Sequence, residues 1–593
     1  MRRLNETSLQ LCKKITEIEI TEITCRDAPM QRLYNKTNNK LKNMLRSILI
    51  ILLLLATTAS HAQQPDGEAH FALPFDFPIY FSGNFGELRS NHFHGGLDFK
   101  TQGVVGKPVR AVADGYISRI KVDHGSGYIL NVVHDNGYTT INRHLSAFVG
   151  EIARLVEEKQ YQEESWEVEI FPEKNQYRVR AGEVIALSGN TGYSFGPHLH
   201  LDMFETVTDD YIDPLPFFLD RVVDRIAPKA LGMMLFPQRG RGVVNGSQSI
   251  QQLPLNTKKE VTAWGEIGVG IRAYDYMDGV SNRYGVKTVI LEVDGVETFR
   301  SEVSRYRHDE NLYINSWTHG QYMKSFIEPG NKLGMLHAKN NNRGLITIDE
   351  ERPYRFVYTL IDAFGNTSKV RFTIQGKRSE IAPIRHRAKH TFRWNKVNVF
   401  HDPGIELIVP KGLLYDDAYL DYTVRADSND IAFTYQLSAS PIPLHDYCNL
   451  SIGLRHRPLA DSTKYYVASV SSSGKKSYVS SYYYRGKMHA RIRSLATYTV
   501  AIDTVAPTIT PVSPQSWKRT GRITLKAKDD ESGVNHYRAT INGHYILLGK
   551  PNAVNGHLVY QIDKSRLPAA DTYQLEVRVT DMCGNEGVLI YEL

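Results

Sequence analysis

The chain has 593 residues, a formal net charge of +7 and four cysteines. At about 100 to 200 residues per domain, that length predicts three to five domains rather than one core. Residues 1–62 hold ten Lys or Arg against five Asp or Glu, which leaves 61 against 59 for the rest. No basic face remains for a nucleic-acid partner, and we expect none.

Residues 1–43 are polar and have no apolar period, whereas Met44 opens a second beginning. Leu45-Arg46 is a short basic stretch, Ser47–Ala56 an apolar one, and Ser60-His61-Ala62 a small-x-small cleavage site. This predicts a non-native upstream extension over 1–43, a signal peptide over 44–62, and a mature chain starting near Gln63. Such a chain is exported to the periplasm, cell envelope or exterior. The apolar run, about ten to twelve residues, falls short of the roughly twenty that a membrane span requires. Cys12 and Cys25 leave with this leader. Cys448 and Cys583 remain, and an oxidising compartment lets them pair, but they fall in different predicted domains and two free thiols are an equal reading.

From Pro74 to Phe218, short β-branched and aromatic runs are separated by Gly, Asp and Asn: Val109–Ala113, Tyr116–Val122, Ile129–His134, Tyr138–Arg143 and Val184–Ser188. Asp114-Gly115 and Asn136-Gly137 predict two-residue hairpin turns, so this segment reads as a small antiparallel β domain. Between Ala147 and Arg180 a charged helical stretch, Glu151–Lys159, precedes the alternating run Trp166–Phe171. This stretch either walls a cleft or forms a solvated hairpin.

Two clusters in this segment carry chemistry. In Gly189–His200, which reads GNTGYSFGPHLH, His198 and His200 are two positions apart. On a strand both imidazoles then share one face while Leu199 points into a core. Upstream, His94-Gly95-Gly96-Leu97-Asp98 sets a histidine and a carboxylate four positions apart across a Gly-Gly pair free to turn. His94, Asp98 and His200 together make a nitrogen and carboxylate set suited to one zinc ion, with a fourth position left for water. His92 is an alternative to His94, but the Asp four residues on selects His94. His134, on a strand entering a turn, reads as structural, and His124 carries no further signal.

These motifs, with Gly86-Glu87-Leu88-Arg89, Pro108–Gly115, Arg143-His144-Leu145-Ser146 and Ala181–Ala186, make Phe71–Phe218 resemble the lysostaphin-like (LytM-type) zinc metallopeptidases. The resemblance implies that His94, Asp98 and His200 hold the metal, and that His144 and His198 flank the activated water as catalytic residues. Zinc brings the pKa of its water to about 7. A neutral imidazole can take the water's proton, and an N–H can stabilise the oxyanion or protonate the leaving amine; which of the two does which stays open. The implied substrate is peptidoglycan, cut at a cross-link or stem-peptide amide. Asn142 stands where the family commonly has tyrosine, which puts the substrate subsites in doubt. Members of this fold lacking ligands act as amidase activators or wall-binding scaffolds, but this chain keeps the full set.

Beyond Leu219 the chain is strand-rich, and [Ile/Val]-Ala-Pro recurs at Ile226, Ile381 and Val505. Ala273-Tyr274-Asp275 with Gly279-Val280 parallels Ala527-Lys528-Asp529 with Gly533-Val534, and Asp362–Asn366 parallels Asp581–Asn585. We therefore expect a mainly β protein, with a peptidase domain over 63–225 followed by tandem β-sandwich domains. Immunoglobulin-like modules are predicted at 226–378 and 505–593, flanking a β-rich domain of unknown family at 379–504. Tyr482-Tyr483-Tyr484 offers a stacking platform, although core and cross-strand packing is the commoner use of such a run. A role for this tail in cell-wall docking is the corresponding expectation.

Overall fold

Strand alternation dominates the computed structural model, which describes residues 70–255, 259–383, 390–426 and 431–593, and the chain is mainly β. The expected leader, with Cys12 and Cys25, lies outside the described residues.

The site-bearing sheet is built from β1 (Phe81–Gly83), β2 (Gly96–Lys100), β4 (Gly115–Asp123), β5 (Gly127–His134), β6 (Tyr138–Leu145), β8 (Val168–Ile170) and β11 (His198–Glu205). They run antiparallel in the order β1-β2-β11-β6-β5-β4-β8. One face buries Leu97, Phe99, Leu199, Leu201, Ile120 and Leu130 completely, so every second residue of the central strands anchors the sheet. Against it packs a smaller sheet of β3 (Pro108–Arg110), β10 (Val184–Leu187) and β7 (Ala147–Phe148).

Asn136-Gly137 does close the β5–β6 hairpin, with Gly137 at φ +88°. Asp114-Gly115 does not close one, because β3 pairs with β10 and not with β4. Gly115 is needed for a different reason: a Cβ there would lie 2.2 Å from the Val133 carbonyl oxygen of β5. Close backbone approach, not a turn, explains this glycine.

The 147–180 insertion forms helix α1 (Gly150–Gln162), which turns Ile152, Val156 and Gln160 inward at four-residue spacing, and then β8. Since β8 joins the sheet on the β4 edge, far from β11, no residue of the insertion lines the cleft. The insertion instead receives the end of the chain. Arg566 lies 4.0 Å over the Tyr161 ring and pairs with Glu157, Arg538 pairs with Glu164, and the Trp166 indole abuts Gly549. His124 stacks on Trp166 at 5.0 Å and faces the Tyr537 hydroxyl.

Strands between Lys229 and Gly376 form one hydrogen-bonded network of eleven. It is continuous in packing with the site-bearing sheet: β12 (Asp210–Ile212) pairs with Arg305–Tyr306, and Phe85, Phe93, Phe204 and Tyr211 share a core with Tyr306 and Trp317. Residues 398–502 fold as two five-stranded sheets, and 508–592 as sheets of three and four strands, each pair over its own apolar core. Cys448 and Cys583 are buried free thiols in separate clusters, and burial pushes them up to about 12 and about 11. In the tyrosine run only Tyr483 packs on the core; Tyr482 and Tyr484 face outward, with Tyr482 stacked on His489.

Candidate active site

Cross-strand register brings the predicted ligands together. His200 on β11 lies directly opposite Asp98 on β2, and Leu199 opposite Phe99, so the two polar side chains share the face away from the core. His94 approaches from the segment before β2. Its Nε2 is 2.9 Å from Asp98 Oδ1 and 3.0 Å from His200 Nδ1, and those two atoms are 2.9 Å apart. All three residues are buried. The glycines between His94 and Asp98 are not there for turning, since neither has a positive φ. A Cβ on Gly96 would sit 2.0 Å from the Leu201 carbonyl oxygen, so Gly96 is what lets β2 lie against β11.

Partners outside the triangle set the histidine tautomers. A carbonyl can only accept, so His94 Nδ1, 2.7 Å from the Asn84 oxygen, carries the proton and leaves Nε2 bare at the centre. His200 is held the other way round: Nε2 donates to Asp202 Oδ1 at 2.6 Å, and Nδ1 is bare. Asp202 is fixed in turn by Arg143 Nε at 2.6 Å. Two bare ring nitrogens and one carboxylate oxygen on a common point, each oriented from behind, fit a zinc site. Burial opposes a charge on His200, but Asp202 and Asp98 raise it to about 9. Asp98 is fully desolvated, yet its two histidine partners keep it well below the usual carboxylate range.

His144 and His198 border this triangle with ring centroids 4.8 Å apart, and His144 is 5.9 Å from His200. His144 Nδ1 donates to the Thr191 oxygen at 2.8 Å, and His198 Nδ1 to the Gly196 oxygen at 2.9 Å. Each therefore leaves Nε2 as an acceptor. Burial, reinforced by His198 and His200, pushes His144 down to about 3; burial also lowers His198. His144 sits at φ +60°, a strained backbone for a non-glycine residue. There β6 bulges, with Tyr128 opposite Leu145 but Leu130 opposite Asn142. The bulge breaks the alternation, so Asn142 does not share the face of His144: it is buried, donates to the Leu130 oxygen, and does not line the cleft. His92, the alternative ligand, is exposed beside Asn91 on the cleft wall and outside the triangle, and His134 is a buried structural residue between the Ala113 oxygen and Thr140.

The site opens into a cleft of about 1130 Å³. Exposed Tyr193 and Phe195 form one rim from the glycine-rich loop, while Tyr306 and Asn311 come from the following module. Asn311 Oδ1 accepts from the Phe93 N–H at 2.7 Å. None of these four, nor Arg143 and Asp202, was picked out from sequence as a site residue. Tyr193 and Phe195 were within reach, since exposed rings in a glycine-rich loop beside two candidate histidines are a readable signal.

An antiparallel β-sheet carrying a buried His-Asp-His triangle that could hold a metal ion is what fold and site define. In sequence, the segment that bears it is similar to lysostaphin-like peptidases. It is 35% identical over 115 residues to the DD-carboxypeptidase/endopeptidase Mpg of Neisseria meningitidis serogroup B, covering 19% of this chain and 21% of that protein. It is 32% identical over 134 residues to the glycyl-glycine endopeptidase ALE-1 of Staphylococcus capitis, covering 21% and 29%. The chain thus spans less than a third of the length of these curated relatives. Among solved structures, the catalytic domain of lysostaphin from Staphylococcus simulans matches at 25% identity over 24% of this chain and 90% of that one, with a TM-score of 0.17. Residues 389–503 match the family model described as a Zu5-like domain, which supplies a description for the middle region.

Proposed function

We propose that the chain is an exported zinc metalloendopeptidase that cleaves peptide bonds of peptidoglycan. The observation carrying this reading is the triangle of His94 Nε2, Asp98 Oδ1 and His200 Nδ1, bordered by two neutral imidazoles. The similarity to proteins named as endopeptidases supports it. We take residues 63–225 as the peptidase domain, with 226–378, 379–504 and 505–593 as the modules that follow.

His94, Asp98 and His200 would hold one zinc ion, which supplies Lewis acidity and makes hydroxide available near neutral pH. His144 and His198 each offer an unprotonated Nε2 to the cleft, able to accept a proton from the attacking water and return it to the leaving amine. Their Nδ1 protons are committed to the Thr191 and Gly196 carbonyls, so both rings are fixed in orientation before substrate arrives. Tyr193 and Phe195 give an apolar rim against which a peptide can lie.

Metal content and muropeptide release, measured together on the chain from Gln63 onward, test this. Wild type should hold one zinc and open cross-linked muropeptides; His200→Ala should lose the metal, and His144→Ala should keep it and lose turnover. Zinc binding with no wall fragment released would overturn the enzyme reading in favour of a wall-binding scaffold.

A further inference from the structure

Two clusters of aspartates lie outside the catalytic segment, at matching positions of the internal repeat. Asp224, Asp275 and Asp362 have carboxylate oxygens within 4.8 Å of one another, as do Asp503, Asp529 and Asp581. In each set the first aspartate stands two residues before Ile/Val-Ala-Pro, the second four before Gly-Val, and the third opens an Asp-x-x-Gly-Asn turn.

The bonding at the first and third aspartates repeats, but at the second it does not: Asp529 Oδ1 accepts from the Glu531 and Gly533 N–H groups, and Asp275 Oδ1 from none. Asp224 Oδ1 accepts from the Ile226 N–H, and Asp503 Oδ1 from the Val505 N–H, both at 3.0 Å. Asn366 donates from Nδ2 to Asp362 Oδ2 and to the Asp224 carbonyl; Asn585 does so to Asp581 Oδ2 and the Asp503 carbonyl. These contacts fix where the carboxylates sit.

The first set leaves a gap that hydrogen bonds do not fill. Asp224 is 7% exposed and Asp275 2%, yet Asp224 Oδ2 and Asp275 Oδ1 have no hydrogen-bond partner at all. Among the described residues no Lys, Arg or His forms an ion pair with Asp224, Asp275 or Asp362. Buried carboxylates without a partner are costly unless they are paired or coordinate a metal.

We propose that Asp224, Asp275 and Asp362 together bind one calcium ion. The donors are oxygens only, the choice of a hard cation that takes six to eight such ligands. The partnerless Asp224 and Asp275 oxygens are ligands, and water completes the shell. Bound there, the ion ties the start of this module to its central strand and its last turn, apart from the His94, Asp98 and His200 triangle.

Calcium titration by calorimetry on the zinc-loaded full chain tests this, together with thermal unfolding in calcium-depleted, chelator-free buffer with and without added calcium. Wild type should bind calcium and melt higher when it is added. Asp275→Asn should lose that binding heat and that melting shift, with zinc content unchanged and with cooperative unfolding retained in the calcium-free buffer. No binding heat and no melting shift at millimolar calcium would overturn the proposal. So would calcium binding unaltered in Asp275→Asn, or an Asp275→Asn chain less stable than wild type without calcium, which would mean that protons and hydrogen bonds hold the carboxylates.

Discussion

Asn552 of the last module donates from Nδ2 to the carbonyl oxygen of Ser194 at 3.0 Å, across 358 residues of sequence, and to that of Asn190 at 2.7 Å. Two backbone bonds flank it: Gly192 N–H to the Pro551 oxygen and Ala553 N–H to the Gly192 oxygen. The loop so held supplies the carbonyls of Thr191 and Gly196, on which His144 and His198 rest. The end of the chain thereby sets the aim of both imidazoles. Asn552→Ala should lower kcat roughly tenfold through lost positioning while zinc content and KM change little. An unchanged kcat in steady-state kinetics would show that the loop holds its shape unaided.

Asp202 orients His200 from behind and is itself bonded to Arg143. Asp202→Asn should weaken zinc binding by about 10- to 100-fold, the usual effect of losing such a partner. Competition with a chromophoric chelator measures it. Affinity equal to wild type would mean that packing alone orients the ring.

His134 gives a pH dependence of stability. Burial holds it at about 4 in the folded chain, below the roughly 6.5 of an exposed histidine. The unfolded chain therefore binds more protons between those values, so stability is full above about 6.5 and falls as pH drops toward 4. The loss is at most about 3 kcal/mol. Urea unfolding at pH 7.5 and pH 4.5 should show it, and His134→Gln should reduce the difference between the two. An equal difference in the variant would place the sensitivity elsewhere.

Gly115→Ala should destabilise by about 1 to 3 kcal/mol, the cost of forcing backbone apart in a packed sheet, because its Cβ would meet the Val133 carbonyl. Differential scanning calorimetry reads this directly; a melting temperature at or above that of wild type would mean the β4–β5 pair can separate freely.

The two halves of the His94, Asp98 and His200 cluster were legible as local motifs, a His four residues before an Asp and a His-x-His on a strand, but it is the β2–β11 register that joins them. Leu199, fully buried between the two histidines, follows from the same alternation. Where a second strand decides the outcome, sequence pattern misled. Gly96 and Gly115 read as turn glycines, yet both answer to a neighbouring backbone that no local window contains. His144 and Asn142 read as cleft neighbours two positions apart, and one bulge separates them. The insertion read as either a cleft wall or a solvated hairpin, and its sheet position sends it to the edge away from the cleft. Asn552 and Asn311 carried no signal at all, being ordinary loop and helix residues until the modules fold back.

Tyr211 of β12 pairs with Tyr306 of the next module and stacks on it at 4.8 Å. This seam makes the site-bearing segment a poor candidate for transplantation. Cut free near residue 225, it would bare Phe85, Phe93 and Phe204 to water, and grafted onto another protein it would arrive with a sticky flank and one side of its cleft missing. Its portable unit is the segment with the module that follows, inherited together.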